Sequence, residues 1–188
     1  LSLYHNAQLD LYNLTVDSDG LSEGTYGFNS GINIADNAHL NLNLVTISNN
    51  GKSGLKVEGN SEAHLNATTI SGNGNGTDWV SAIRVTNNSH FSMNDSTVIS
   101  PKGNGIDITY WSKGDVSNSS IECLDPIDNS RPYAFNLWKS KLSLNHDSSI
   151  DQNIISLKMS GHAIWASGDS EVSINQAPPI PTTGGSTY

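Results

Sequence analysis

Gly54-Leu55-Lys56-Val57, Ala63-His64-Leu65 and Thr68-Thr69-Ile70 are followed by Ala82-Ile83-Arg84-Val85, Phe91-Ser92-Met93 and Ser96-Thr97-Val98, one three-part pattern written twice. Each part alternates apolar and polar residues, the mark of a short strand with one face turned inward. The spacing repeats as well: positions 57 to 65 and 85 to 93 are each 8 apart, and 65 to 70 and 93 to 98 are each 5 apart. Strands this short do not form independent hairpins. They become stable when each copy stacks on the next and the apolar faces merge into one interior.

The pattern extends in both directions. Upstream lie Leu1-Ser2-Leu3, Leu9-Asp10-Leu11 and Leu14-Thr15-Val16, then Gly31-Ile32-Asn33-Ile34, Leu40-Asn41-Leu42 and Val45-Thr46-Ile47. Downstream lie Gly105-Ile106-Asp107-Ile108, Gly114-Asp115-Val116 and Ser119-Ser120-Ile121, then Ala134-Phe135-Asn136-Leu137, Leu142-Ser143-Leu144 and Ser148-Ser149-Ile150. Ile164-Trp165-Ala166 and Val172-Ser173-Ile174 close the series at seven units. In the sixth unit the first spacing is 7 (137 to 144) and the second 6 (144 to 150), which restores the usual total of 13. The reading is an all-β parallel β-helix over residues 1–175, with a Pro/Gly/Thr-rich linker or tail at 176–188. Analogy with solenoids of this coil length predicts the right-handed, three-sheet form.

Composition agrees. The chain has 188 residues, only 14% charged, with 9 Lys+Arg against 18 Asp+Glu and a net charge of −9. The acid excess argues against nucleic-acid binding, which needs a basic face. No apolar run is long enough to span a membrane as a helix. The single cysteine, Cys123, has no disulfide partner, and no Cys/His cluster suggests zinc. Asn recurs at the corner between the second and third strands, in Asn43-Leu44, Asn66-Ala67 and Asn94-Asp95. There it suits a left-handed corner, and stacked amides can bond along the axis. An outward Ser/Thr row, Thr15, Thr46, Thr69, Thr97, Ser120 and Ser149, accounts for more of the polar surplus.

Variation in length falls at the third corner, in loops over 17–31, 71–82, 122–134 and 151–163. These loops hold Tyr26, Phe28, Trp79, Arg131 and Tyr133, and the last is apolar enough to fold back on the body. Loops along one edge of a repeat protein often bind. The outward positions of the adjoining first strands include Lys56, Glu58, Arg84, Asp107, Asn136, Trp138 and Trp165, with Ala35, Thr86 and Thr109 between them. Tyr110 and Trp111 follow on the next corner. Flat aromatics beside amides and mixed charges suit stacking on sugar rings, and exposed Trp on a rigid sheet is a binding signal. The candidate ligand-binding set is therefore Lys56, Arg84, Asp107, Asn136, Trp138 and Trp165 on the strands, with Tyr110, Trp111, Trp79 and Tyr133 around them. The bland reading of each aromatic is a cover for the apolar edge beneath it.

The run Ala63-x-Leu65-x-x-x-Thr69-Ile70-Ser71-Gly72-Asn73-Gly74, continued by Ala82-Ile83-x-Val85, resembles the pectin-lyase-like β-helix superfamily. It is most similar in kind to the passenger domains of bacterial autotransporter adhesins such as pertactin and AIDA. The resemblance covers residues 1 to about 175 and rests on the repeat rather than on a diagnostic motif. It implies an exported, surface-displayed chain on an outer-membrane anchor, linked to adhesion, virulence and biofilm, with host glycans, extracellular-matrix proteins or other copies as partners. Cys123 departs from the near-absence of cysteine in that group.

The superfamily also contains polysaccharide lyases and hydrolases, whose clefts resemble this strip. The outward acids Glu58 and Asp107 lie two units apart, roughly 10 Å, in different columns, near the upper end of an inverting-glycosidase separation. Lys56 and Arg84 stand ready to neutralise both, and no carboxylate series at calcium spacing occurs. No catalytic residue, metal or cofactor is assigned. The sequons at Asn13, Asn66, Asn75, Asn87, Asn94 and Asn118 follow from the Asn/Ser/Thr surplus. The histidines have no partner by spacing, and Cys123 reads as a small buried residue. Three readings stay open: a glycan- or matrix-binding adhesin segment of a larger exported protein, a self-association module, and a polysaccharide-degrading enzyme.

Overall fold

The computed structural model describes residues 1–17, 30–73, 80–100, 103–123, 133–145 and 163–175, and 156–159 as a backbone strand. The chain coils through repeated triplets of strands. These are β1 (Ser2–Leu3), β2 (Gln8–Tyr12) and β3 (Thr15–Asp17); β4 (Ile32–Ile34), β5 (His39–Asn43) and β6 (Thr46–Ser48); and β7 (Leu55–Val57), β8 (Glu62–Asn66) and β9 (Thr69–Ser71). Next come β10 (Ile83–Val85), β11 (His90–Asn94) and β12 (Thr97–Ser100), then β13 (Ile106–Thr109), β14 (Lys113–Ser117) and β15 (Ser120–Cys123). The sixth coil has β16 (Phe135–Trp138), β17 (Lys141–Asn145) and β18 (Ser156–Met159), and the seventh has β19 (Ile164–Ser167) and β20 (Glu171–Asn175). First strands pair in parallel with first strands, second with second and third with third, giving sheets of 7, 7 and 6 strands. We call these sheets 1, 2 and 3. They form the right-handed parallel β-helix that the repeat predicts.

Inward residues stack in columns. On sheet 1, Ile32, Leu55, Ile83, Ile106 and Phe135 are fully buried register neighbours. Each such side chain contributes about 1.5–3 kcal/mol by leaving water. Size alternates where a bulky residue intrudes: Phe91 lies between Ala63 and Gly114 in register. A β-carbon on Gly114 would sit 2.5 Å from Cδ1 of the buried Ile108, whose side-chain tip would have to shift to admit it.

The corner between sheets 2 and 3 refines the asparagine reading. The left-handed residue is the second of the pair, Asn13, Leu44, Ala67, Asp95 or Asn118 (φ 46–56°). The preceding asparagines supply the ladder instead. Asn66 Nδ2 donates to Asn43 Oδ1 at 3.3 Å and Asn94 Nδ2 to Asn66 Oδ1 at 3.2 Å; in the fifth coil, where Ser117 precedes, the left-handed Asn118 itself donates to Asn94 Oδ1 at 3.0 Å. Part of the hydroxyl surplus lies inside. Ser61, Ser89 and Ser112 are buried, and each Oγ accepts a backbone N–H from the coil before, those of Ala38, Ser61 and Ser89. Ser96 and Ser119 continue the same arrangement at the next corner, accepting from the backbone N–H groups of Thr68 and Ser96. The sequons at Asn66, Asn87 and Asn94 therefore end in ladder residues.

Three expectations change. The third strand of the sixth coil is Ser156–Met159, not Ser148–Ile150, because Ser120 and Ile121 pair with Ser156 and Leu157. The length inserted in that coil thus lies between β17 and β18, at the second corner rather than the third. Ser156, not Ser149, takes the register position next to Ser120, and residues 156–159 are strand rather than loop. Ala35 and Thr86, expected on the outer surface, are covered, at 6% and 5% exposure. Residues 18–29, 74–79, 124–132 and 176–188, with Tyr26, Phe28, Trp79 and Arg131, lie outside the described residues.

Candidate functional site

Parallel register puts one outward residue per coil into a straight column on sheet 1: Ser2, Asn33, Lys56, Arg84, Asp107, Asn136 and Trp165. Thr109, Trp138 and Ser167 form a parallel column beside it. The strip drawn from the sequence is therefore continuous, and nine of its ten residues fall on one side of the molecule. Trp79 is the one outside the described residues.

The aromatic end is built on the corner between sheets 1 and 2. That corner takes two consecutive residues in the left-handed region. They are His5-Asn6, Asp36-Asn37, Gly59-Asn60, Asn87-Asn88 and Gly168-Asp169 in five coils, and Tyr110-Trp111 (φ 53° and 62°) in the fifth. The sixth coil is one residue shorter and uses Lys139 alone (φ 51°), which is the one-residue slip seen in the sequence. Asn, Asp, Gly and His tolerate this region, whereas a bulky side chain there costs roughly 1–2 kcal/mol. Hydrogen bonds hold the strained backbone: Tyr110 N to Trp138 O at 3.0 Å and Trp111 N to Lys139 O at 2.7 Å.

The strained pair joins a cluster. The Tyr110 and Trp138 rings meet edge to face with centroids 4.7 Å apart. Lys139 Nζ lies 5.2 Å from the Trp138 ring centroid and 5.9 Å from that of Trp111. Gly168 backs Trp138 so closely that a β-carbon would come within 2.7 Å of indole Cδ1 and Nε1. Across the strands, Tyr133 and Trp165 pair at 6.0 Å. The cluster nonetheless faces solvent, with Trp111 68%, Trp165 43%, and Trp138 and Tyr110 each 37% exposed. Asn136, between these groups, carries a buried Oδ1 with no hydrogen-bond partner.

The charged residues do not combine as expected. Lys56 is bound to Glu58 at 2.8 Å. Asp107, however, accepts from Asn104 Nδ2 at 2.9 Å, and Arg84 makes no ion pair among the described residues. The two are register neighbours, but the short amide of Asn104 approaches Asp107 from its own coil and takes the carboxylate. Toward the first coil the strip sinks into a groove of about 260 Å³, lined by Ser2, Tyr4, Asn33, Lys52, Lys56 and Arg84.

One constellation escaped the sequence. On the outer face of sheet 2, His39, His64 and His90 converge on Glu62, at 3.4, 3.2 and 2.9 Å. His90 Nε2 also meets Asp115 at 2.8 Å, and Lys113 reaches Asp115 at 2.7 Å. The hydrogen bond with His90 holds Glu62 below the usual carboxylate range against burial, assisted by the charges of His64, His90 and His39. Asp115 is pushed up by burial but brought down further by hydrogen bonds with Lys113, His90 and Ser143. The signal was available, since His39, Glu62 and His90 each precede the first inward residue of their strand. No group of three or more His, Cys, Asp or Glu among the described residues is placed to hold a metal. Cys123 is buried, and burial pushes its thiol up to about 11, away from nucleophilic use.

A family model described as a right-handed β-helix region matches residues 5–123. No curated protein matches the chain, and no solved structure does either.

Proposed function

We propose that this chain, which belongs to the right-handed β-helix family, is a surface-displayed adhesin segment that binds glycans through the aromatic end of sheet 1. The observation that carries the reading is the corner at Tyr110-Trp111. A scaffold position that other coils fill with Asn, Asp, Gly or His holds two large aromatics in the left-handed region. Local strain of this kind collects at functional sites, and here it projects rings into water rather than into the core. The rings are fixed by Gly168, Lys139 and the edge-to-face contact with Trp138, so little side-chain entropy is lost on binding. Exposed Trp and Tyr faces stack on pyranose rings, and neighbouring amides, hydroxyls and Lys139 hydrogen-bond their substituents.

The reading is non-enzymatic. Glu58 is tied to Lys56, and Asp107 is tied to Asn104. Neither carboxylate is disposed as the free acid and base of a hydrolase. Export to the cell surface, outer-membrane anchoring and roles in virulence or biofilm belong to the same proposal through the autotransporter resemblance, as do matrix proteins and further copies as partners.

A glycan array probed with the protein, with released sugar ends measured in parallel, tests this. The expected result is saturable binding to a restricted set of glycans, weakened at least tenfold by Trp138→Ala or Trp165→Ala, without new reducing or unsaturated ends. Binding that survives both substitutions, or chain cleavage lost on Asp107→Asn, would reject it.

A further inference from the structure

We infer that Ser92, His64 and Glu62, on the outer face of sheet 2, form a hydrolytic triad for short-chain carboxylic esters. Sequence and register bring the three together. Glu62 and His64 alternate with the buried Ala63 on β8, so both side chains leave the same face of the sheet. Ser92, on β11, is the register partner of His64. Ser92 Oγ lies 2.6 Å from His64 Nδ1, and His64 Nε2 lies 3.2 Å from Glu62 Oε1. A hydroxyl on an imidazole that a carboxylate orients is the arrangement that activates a serine, whatever fold carries it.

The geometry also places the protons. The hydrogen bond with His90, with the charges of His64, His90 and His39, holds Glu62 below the usual carboxylate range, so it is ionised at neutral pH. An ionised carboxylate only accepts hydrogen bonds, so the imidazole nitrogen facing it, Nε2, carries a proton. In the neutral ring the lone pair is then on Nδ1, where it accepts the Ser92 hydroxyl. Glu62 is itself steadied by His90 at 2.9 Å and His39 at 3.4 Å. On the other flank of Ser92 stands its register partner Asp115, whose charge is met by His90 at 2.8 Å and Lys113 at 2.7 Å. Beyond His64, Asn41 is taken up by Asp10 at 2.6 Å. The pair remains open to solvent, with Ser92 half-buried and the His64 side chain 45% exposed.

In the reaction, Ser92 Oγ bonds to the ester carbonyl carbon as its proton passes to His64 Nδ1. The bond from that carbon to the alcohol oxygen breaks, and the alcohol leaves with the proton. Water then bonds to the acyl carbon and gives a proton to Nδ1. The bond to Ser92 breaks, Oγ regains its proton, and the carboxylic acid departs. Lys113, whose ammonium keeps two N–H groups beyond its bond to Asp115, is the donor on this face for the charge that develops on the carbonyl oxygen. The residues around Ser92 on the face, His64, His90, Asn94 and Asp115, are all polar. They offer no apolar pocket to a long acyl chain, which restricts the substrate to short acyl groups on an exposed alcohol. The triad lies away from sheet 1 and does not rest on the glycan reading.

Two measurements on the whole chain test this. In the first, a small fluorophosphonate is added and the modified peptide is located by mass spectrometry. In the second, hydrolysis of p-nitrophenyl acetate is followed against pH. A phosphonyl adduct on Ser92 is expected, with saturable turnover that rises with pH as His64 gives up its proton. Ser92→Ala and His64→Gln should abolish the adduct and lower turnover about a hundredfold. Glu62→Gln should lower kcat at least tenfold with KM unchanged, and should alter the pH profile. Ser173→Ala, three strands along the same column, should keep the native rate. Absence of both adduct and turnover overturns the triad. Turnover that survives Ser92→Ala also overturns it and assigns the reaction to an imidazole acting alone. An adduct on Ser92 without turnover keeps the activated serine and overturns the ester as its substrate. Turnover lost in Ser92→Ala, but unchanged in rate and pH profile by Glu62→Gln, overturns the role of Glu62 and leaves a serine–histidine pair.

Discussion

The outer faces of sheets 1 and 2 are built on the same seven-strand ladder, yet they leave their side chains in opposite states. On sheet 2, Glu62 gathers three histidines, Asp115 gathers His90 and Lys113, and Lys141 meets Glu171 at 2.8 Å. The asparagine ladder closes its border. On sheet 1, Trp111, Trp138 and Trp165 face water, Arg84 has no ion pair among the described residues, and Asn136 Oδ1 has no partner. A solenoid has to satisfy its backbone and bury its core, and both faces do so equally. The difference lies beyond that requirement. Among the described residues, sheet 2 pairs most of its charges, whereas sheet 1 leaves Arg84 without an ion pair and borders a corner that holds two aromatics at left-handed backbone.

The comparison breaks first at the glycine behind the aromatic cluster. Gly168→Ala places a β-carbon against the Trp138 indole at a left-handed residue, and should cost about 1–3 kcal/mol of stability. It should also displace Trp138 and weaken glycan binding, as denaturation and calorimetry would show. An unchanged protein would mean that Gly168 does not hold the ring. Next in size, Ser89→Ala should cost about 1–2 kcal/mol, because the Ser61 N–H is buried and loses its acceptor. Ligand affinity should stay as it was, since the serine ladder serves both faces alike.

Smaller effects sharpen the contrast. Glu62→Gln should cost less than about 1 kcal/mol, because its partners are half exposed, and should leave binding untouched. It should also change the acid limb. Folding lowers Glu62 and Asp115 below their ordinary values of 4.5 and 3.8. Their stabilisation is therefore complete above those values and lost as pH falls through the lower folded ones. Urea midpoints between pH 6 and pH 3 should fall less steeply for Glu62→Gln than for the native chain. An identical slope would deny sheet 2 its charge network.

Much of this was legible in the sequence, because a stacked repeat writes its register into its spacing. Arg84 and Asp107 fall in one column from the interval of 8 residues alone, and Asn136 joins them once its coil's interval of 7 is allowed. The sixth coil misled because Ser148-Ser149-Ile150 has the alternation and nearly the spacing of a third strand. What selects Ser156–Met159 is its four-residue fit to Ser120–Cys123, which spacing alone does not express. The histidine cluster is not legible for a related reason. Its members are far apart along the chain and adjacent only across coils, where Glu62 separates His39 from His90. Tyr110 and Trp111 read as aromatics in the sequence, and their meaning lies in backbone conformation. Alignment with Asn87-Asn88 and Asp36-Asn37 carried that signal.

The central claim is that coil five gives up stability to present rings, and Trp111→Asn tests it in one protein. Trp111 is 68% exposed and loses little burial on replacement, while asparagine relieves the left-handed strain. Chemical denaturation and glycan binding, measured together, should show stability raised by about 0.5–1 kcal/mol and affinity reduced about tenfold or more. Lower stability with unchanged affinity would contradict the account and make Trp111 an ordinary cover for the edge of the sheet.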